Sequence, residues 1–120
     1  MERRAYQGLL QQGDLVVARF PFSNLEDEKA RPALVVAVPD GINAVLALVT
    51  SKRGKDCWAV RVADADLVQG RLRVSPSWVW TSQLFTASRK VIGRRIGRLK
   101  RMRMDEIRSR IVDLATRIVF

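Results

Sequence analysis

At 120 residues, nearly half of them apolar, the chain suits one domain with a buried core rather than two small ones. It holds 22 Lys and Arg against 12 Asp and Glu, a net charge of +10, with no histidine and one cysteine, Cys57. That inventory excludes an internal disulfide, the usual zinc sites and histidine-based acid–base chemistry, and a lone thiol suits a reducing cytoplasm.

Residues 1–12 are polar, without strong periodicity, and read as an arm ahead of a single domain over 13–120. Met1 to Tyr6 lacks the apolar stretch of a secretory signal, and no apolar run is long enough to cross a membrane. Gly13-Asp14 is a turn signal, and Leu15 to Phe20 reads as a strand ended by Pro21. Ser23 to Ala30 is a polar connection carrying Glu26, Asp27 and Glu28. Pro32 to Val38 and Ala44 to Thr50 are further Val-rich runs, separated by the turn Pro39-Asp40-Gly41. Three apolar runs of strand length at short spacing predict a mostly antiparallel barrel or sandwich.

Ser51 to Asp56 is a basic loop, and Cys57 to Val62 alternates like a strand. Ala63 to Gly70 carries no clear pattern, while Trp78 to Thr81 and Phe85 to Ser88 are short strand candidates. Trp58, Trp78 and Trp80 offer faces on which bases stack, although in so small a domain core positions are favoured for at least two of them. From Arg89 to Arg103 come eight basic side chains with no acid among them. Such a run is a solvated face or a dock for a polyanion, and charge alone does not separate RNA, DNA and acidic protein. Met104, Ile107, Ile111, Leu114, Ala115 and Ile118 fall at helical spacing, with Asp105 and Glu106 placed as acids at a helix start. The pattern is mainly β with a C-terminal α-helix of about four turns, a small barrel capped by a helix.

The segments Gly13-Asp14-Leu15-Val16-Val17, Phe20-Pro21-Phe22 and Lys29-Ala30-Arg31-Pro32-Ala33-Leu34-Val35-Val36 together resemble the opening of the MazF/PemK toxins. Leu48-Val49-Thr50-Ser51 is similar to that family's second active-site segment, and Ser75, Trp78-Val79 and Ile96-Gly97-Arg98-Leu99 continue the likeness. It covers residues 13–118. The resemblance implies an SH3-like antiparallel β-barrel, a cytoplasmic homodimer, and a cofactor-free, metal-independent endoribonuclease. Cleavage of single-stranded RNA would leave 2′,3′-cyclic phosphate and 5′-hydroxyl ends. It also implies a cognate antitoxin with an acidic, disordered segment that lies across the RNA groove.

Carried over by resemblance, Arg31 and Thr50 are the catalytic pair. A guanidinium fork matches two phosphate oxygens and stabilises phosphorane charge, though arginine is a poor base; a threonine hydroxyl can hold a phosphate oxygen or the 2′-hydroxyl. Ser51, Lys29, Lys52 and Gln83 are candidates for holding substrate. The plain reading makes Arg31 a surface residue paired with Glu26 or Glu28, and Thr50 a strand-end threonine satisfying a turn. The sequence also departs from some members. Aligned on Gln83, Ser82 and Phe85 stand where an acid and an arginine would be, so those positions supply no acid–base pair. Two other functions fit the same barrel: a non-catalytic RNA-binding domain using Arg89–Arg103, and a toxin that poisons gyrase by binding it.

Overall fold

The computed structural model describes residues 8–19, 30–54 and 57–117. The three Val-rich runs form strands β1 (Asp14–Arg19), β2 (Ala30–Ala37) and β3 (Asn43–Thr50), within two residues of their expected bounds. β4 (Ala59–Val62) follows the alternating run, then a 3-10 turn over Asp64–Asp66 leads into β5 (Leu67–Gly70). The two strand candidates near the tryptophans are one long strand, β6 (Ser77–Ser88). Its pairing with β3 jumps from Ala47↔Leu84 to Leu48↔Trp80, so Thr81, Ser82 and Gln83 form a bulge. That bulge breaks the period-2 pattern and makes one strand read as two. Half of the basic run is a strand as well, β7 (Ile92–Leu99), whose arginines hide its alternation. The chain closes with the helix α1 (Arg101–Thr116); no helix among the described residues is long and apolar enough to cross a membrane.

The helix begins four residues ahead of Asp105, on a basic first turn with Lys100 as its cap. That charge is met by one acid from outside the helix and one of its own. The Arg103 guanidinium reaches Asp66 at 3.1 Å and Glu106 at 2.6 Å, while the Lys100 N–H donates to the Asp66 carbonyl at 2.8 Å. Burial raises the pKa of the Asp66 carboxyl, but the Ala63 N–H and Arg103 outweigh that and hold it below its usual value.

All strand pairs are antiparallel, in the order β4-β6-β3-β2-β1-β7-β5. The outermost strands are consecutive in sequence: only residues 63–66 separate Val62 from Leu67. Those five steps span at most about 18 Å. Laid flat, the six spacings between β4 and β5 would measure about 29 Å. The sheet must therefore curl until its edges approach, although β4 and β5 are not paired with each other. This is the expected small barrel, hydrogen-bonded as an open sheet.

Alternation splits the apolar residues between the two faces. The inner cluster draws Leu15, Leu34, Val49, Val62, Leu67, Val79 and Leu99 from the seven strands, and Met104 and Ile107 of α1 close it. The second cluster lies on the opposite face, from Val16, Ala18, Ala33, Val35, Ala44, Leu46, Ala87 and Ile92, with Leu10 packed over it. Asp14, fully buried at the start of β1, ties β1 to β7. Its carboxylate accepts from the Gln11 N–H at 2.9 Å and from Arg98 Nε at 2.8 Å, with Arg95 at 3.7 Å. Where β5 meets β7 the backbones touch. Gly70 has φ +84, and a Cβ there would lie 2.1 Å from the Ile96 carbonyl oxygen; one on Gly97 would meet the Gln69 oxygen at 2.9 Å. None of the three tryptophans belongs to either cluster, against the expectation that two would be core. Each is half-buried and keeps part of its ring at the surface.

Candidate active site

The sheet register brings the proposed catalytic residues together. Arg31 pairs with Ala18 across β1 and β2. The β2–β3 register ends at Ala33↔Leu48; continued by two residues, it sets Arg31 across from Thr50. Thr50 in turn pairs with Trp78 of β6, and Trp78 with Arg61 of β4. Cross-strand partners project from the same face. Arg31, Thr50, Trp78 and Arg61 thus form one row across four adjacent strands. This row continues the face of the second cluster outward, where Ala18, Ala33 and partly buried Leu48 give way to polar groups.

Arg31 is exposed, and among the described residues its guanidinium has no hydrogen-bond or ion-pair partner. Glu26, Glu28 and the candidate Lys29 lie outside the described residues. Thr50 is half-buried at the end of β3, and its Oγ1 accepts from the Lys52 N–H at 3.3 Å. With one lone pair so used, the hydroxyl proton is left to donate outward. Ser51 and Lys52 are exposed on the loop that follows. That loop is fixed from below: Trp80 donates its indole N–H to the Lys52 carbonyl at 3.1 Å. Gly54, at φ +64, passes so close that a Cβ would lie 3.1 Å from the Trp80 ring. Arg53, held on this loop, places its guanidinium 5.5 Å from the centre of the Trp78 ring.

Gln83 is exposed in the β6 bulge, three residues beyond Trp80 and outside the row. Ser82 is exposed beside it, whereas Phe85 turns inward against the second cluster. Sequence reasoning missed Arg53, Arg61 and the place of Trp78. The available signal was the alternation of Ser77-Trp78-Val79-Trp80: with Val79 in the core, both tryptophans must face the other way. The row holds two arginines and no acid, with Lys52 and Arg53 on the adjoining loop, and so presents positive charge to a ligand.

Elsewhere the basic run is largely occupied with the fold. Arg95 and Arg98 face Asp14, Arg103 bridges Asp66 and Glu106, and Arg89 donates to the Gly8 carbonyl. The side chains of Lys90, Arg94, Lys100 and Arg101 have no hydrogen-bond or ion-pair partner among the described residues.

The profile of a family described as PemK-like, MazF-like toxins of type II toxin–antitoxin systems matches residues 11–114. No curated protein sequence matches the chain significantly. Among solved structures, it is similar to an endoribonuclease in complex with its cognate antitoxin from a mycobacterial species. The TM-score is 0.69 at 15% identity, covering 92% of this chain and all of that one. The Mycobacterium tuberculosis toxin MazF-mt6 is 23% identical at TM-score 0.62, covering 89% of this chain and 99% of its own. A MazE–MazF structure from Deinococcus radiodurans is 19% identical at TM-score 0.69, with coverage of 91% and 97%. These likenesses share the curled sheet and closing helix, and with the family match over most of its length the chain belongs to the PemK-like, MazF-like toxins of type II toxin–antitoxin systems.

Proposed function

We propose that this chain is a metal-independent endoribonuclease toxin that cuts single-stranded RNA at the Arg31–Thr50 row. The observation that carries the reading is the β2–β3 register, which, continued by two residues, sets an exposed arginine without a partner among the described residues across from a hydroxyl on one face of adjacent strands. In the reaction the 2′-oxygen loses its proton and attacks phosphorus. The bond to the 5′-oxygen breaks, and that oxygen takes up a proton, leaving a 2′,3′-cyclic phosphate and a 5′-hydroxyl. Arg31 neutralises the charge that builds on the non-bridging oxygens, and Thr50 donates a hydrogen bond to the same group. Ser51 and Lys52 hold the adjoining backbone, and Lys29 and Gln83 are further candidates for holding substrate.

An acidic, disordered antitoxin segment would cover this positive face, and the toxin works as a cytoplasmic homodimer. The non-catalytic reading that rests on Arg89–Arg103 has less support, because half of those eight side chains are engaged within the fold. The test is to incubate the purified chain, beside Arg31→Ala, with long single-stranded RNA in EDTA and map the fragment ends. Discrete cuts with cyclic-phosphate ends, lost in Arg31→Ala, are expected. Intact RNA from several different sequences would sink the catalytic reading.

A further inference from the structure

Trp78 has no part in the chemistry just described, yet it stands in the middle of the row. It pairs with Thr50 on one side and Arg61 on the other. Its packing does not call for an indole. The ring belongs to neither apolar cluster, its row neighbours are polar, and its N–H has no acceptor among the described residues. Trp80, two residues on, shows the contrast: its N–H is bonded to the Lys52 carbonyl, and through that bond it holds the loop that carries Arg53. Arg53 then lies over the Trp78 ring at 5.5 Å. A half-buried indole with an arginine over one face and a second arginine on the next strand is an arrangement suited to a base and its flanking phosphates.

The dimensions fit a short stretch of single strand. From Arg31 on β2 to Arg61 on β4 are three strand spacings, about 14 Å. At roughly 3.4 Å per stacked nucleotide that covers about four nucleotides. We propose that Trp78 is the platform on which a base next to the scissile phosphate stacks, with Arg53 closing the stack and Arg61 holding the phosphate beyond it. Trp78 is then a specificity-determining residue, and this assignment rests on the row being the RNA site. The partner chemistry is an unpaired nucleobase on a polyanionic strand. An acidic peptide would use the arginines and leave the ring unoccupied.

The experiment separates the platform from the cleavage reaction. Uncleavable, fully 2′-O-methylated RNA spanning a mapped cut is titrated against wild type, Trp78→Phe and Trp78→Leu. The same RNA carrying one abasic nucleotide at each position in turn is titrated alongside. Were the chain to cut no RNA, a 2′-O-methyl oligoadenylate takes its place, so a failed reaction and a failed platform remain distinct. Trp78→Leu should weaken binding roughly tenfold, the usual worth of one stacked base, while Trp78→Phe retains most of the affinity. One abasic position should cost wild type about the same factor and cost Trp78→Leu nothing more. In cleavage, the loss appears in KM with kcat nearly unchanged. The proposal is overturned if no single abasic position matters to wild type, or if every abasic penalty persists undiminished in Trp78→Leu. Wild type and Trp78→Phe alone decide the first of these, should the leucine variant fold poorly.

Discussion

Arg31 and Arg98 stand on the two strands that flank β1, one on β2 and one on β7, and their surroundings could hardly differ more. Arg98 lays its guanidinium against the fully buried carboxylate of Asp14, in a knot that also takes in Gln11 and Arg95. Arg31, paired with Ala18 toward the far end of β1, is exposed with no partner among the described residues. The same residue type therefore serves the fold at one site and remains available to a ligand at the other. A net charge of +10 does not reveal that division; the position of acids in the folded chain does.

The comparison can be broken most severely at Arg31. Arg31→Ala should lower the rate of RNA cleavage by about 100- to 1,000-fold, the range for losing one preorganised transition-state contact. Its urea-unfolding free energy should stay within about 0.5 kcal/mol of wild type, as for an exposed side chain that no described residue engages. Asp14→Ala should do the reverse. Losing the carboxylate that Arg95 and Arg98 share should destabilise the chain by about 3 kcal/mol in urea unfolding, while the folded fraction cuts RNA at the wild-type rate. An Asp14 variant that stays stable and loses cleavage would join the two regions that the structure separates.

Gly70→Ala probes the structural side again. A Cβ at φ +84, pressed on the Ile96 carbonyl, should cost about 2 kcal/mol or more by forcing β5 away from β7. Thr50→Val sharpens the functional side: about a tenfold lower cleavage rate with unchanged thermal midpoint, the measure of one lost hydrogen bond to developing charge. The smallest effect belongs to Asp66, whose carboxyl sits below its ordinary value of 3.8 in the folded chain. A depressed carboxyl stabilises the fold above its unfolded pKa, and that contribution fades as pH falls through the lower folded value. Stability measured from about pH 5 down to about pH 2 should therefore drop a little more steeply in wild type than in Asp66→Asn.

The strands β1, β2 and β3 were legible in the sequence because each buries apolar residues on both faces, leaving long Val-rich runs. β7 was not, since two of its three arginines, Arg95 and Arg98, turn toward buried Asp14, which for Arg98 lies 84 positions away in sequence. β6 was split in two by a three-residue bulge that nothing local announces. The helix was placed late for a related reason: its first turn is basic, and the acid that favours it there, Asp66, belongs to the preceding 3-10 turn. At the site, Arg31 and Thr50 came from resemblance, and the sheet register then set them on one row. Arg53 and Arg61 were ordinary surface cations until the pairing of β4 with β6 aligned them with Trp78.

The short link between β4 and β5 carries a further consequence. Each of those strands ends the sheet, and an outermost strand offers a row of unsatisfied backbone groups that can recruit another chain into an aggregate. A fully bonded barrel removes that hazard by pairing its last strand with its first. Here a four-residue tether, 63–66, limits how far the two edges can part, without a ladder between them. Lengthening that tether would leave the Arg31–Thr50 row in place and release the edges, making the chain prone to assemble with its own copies.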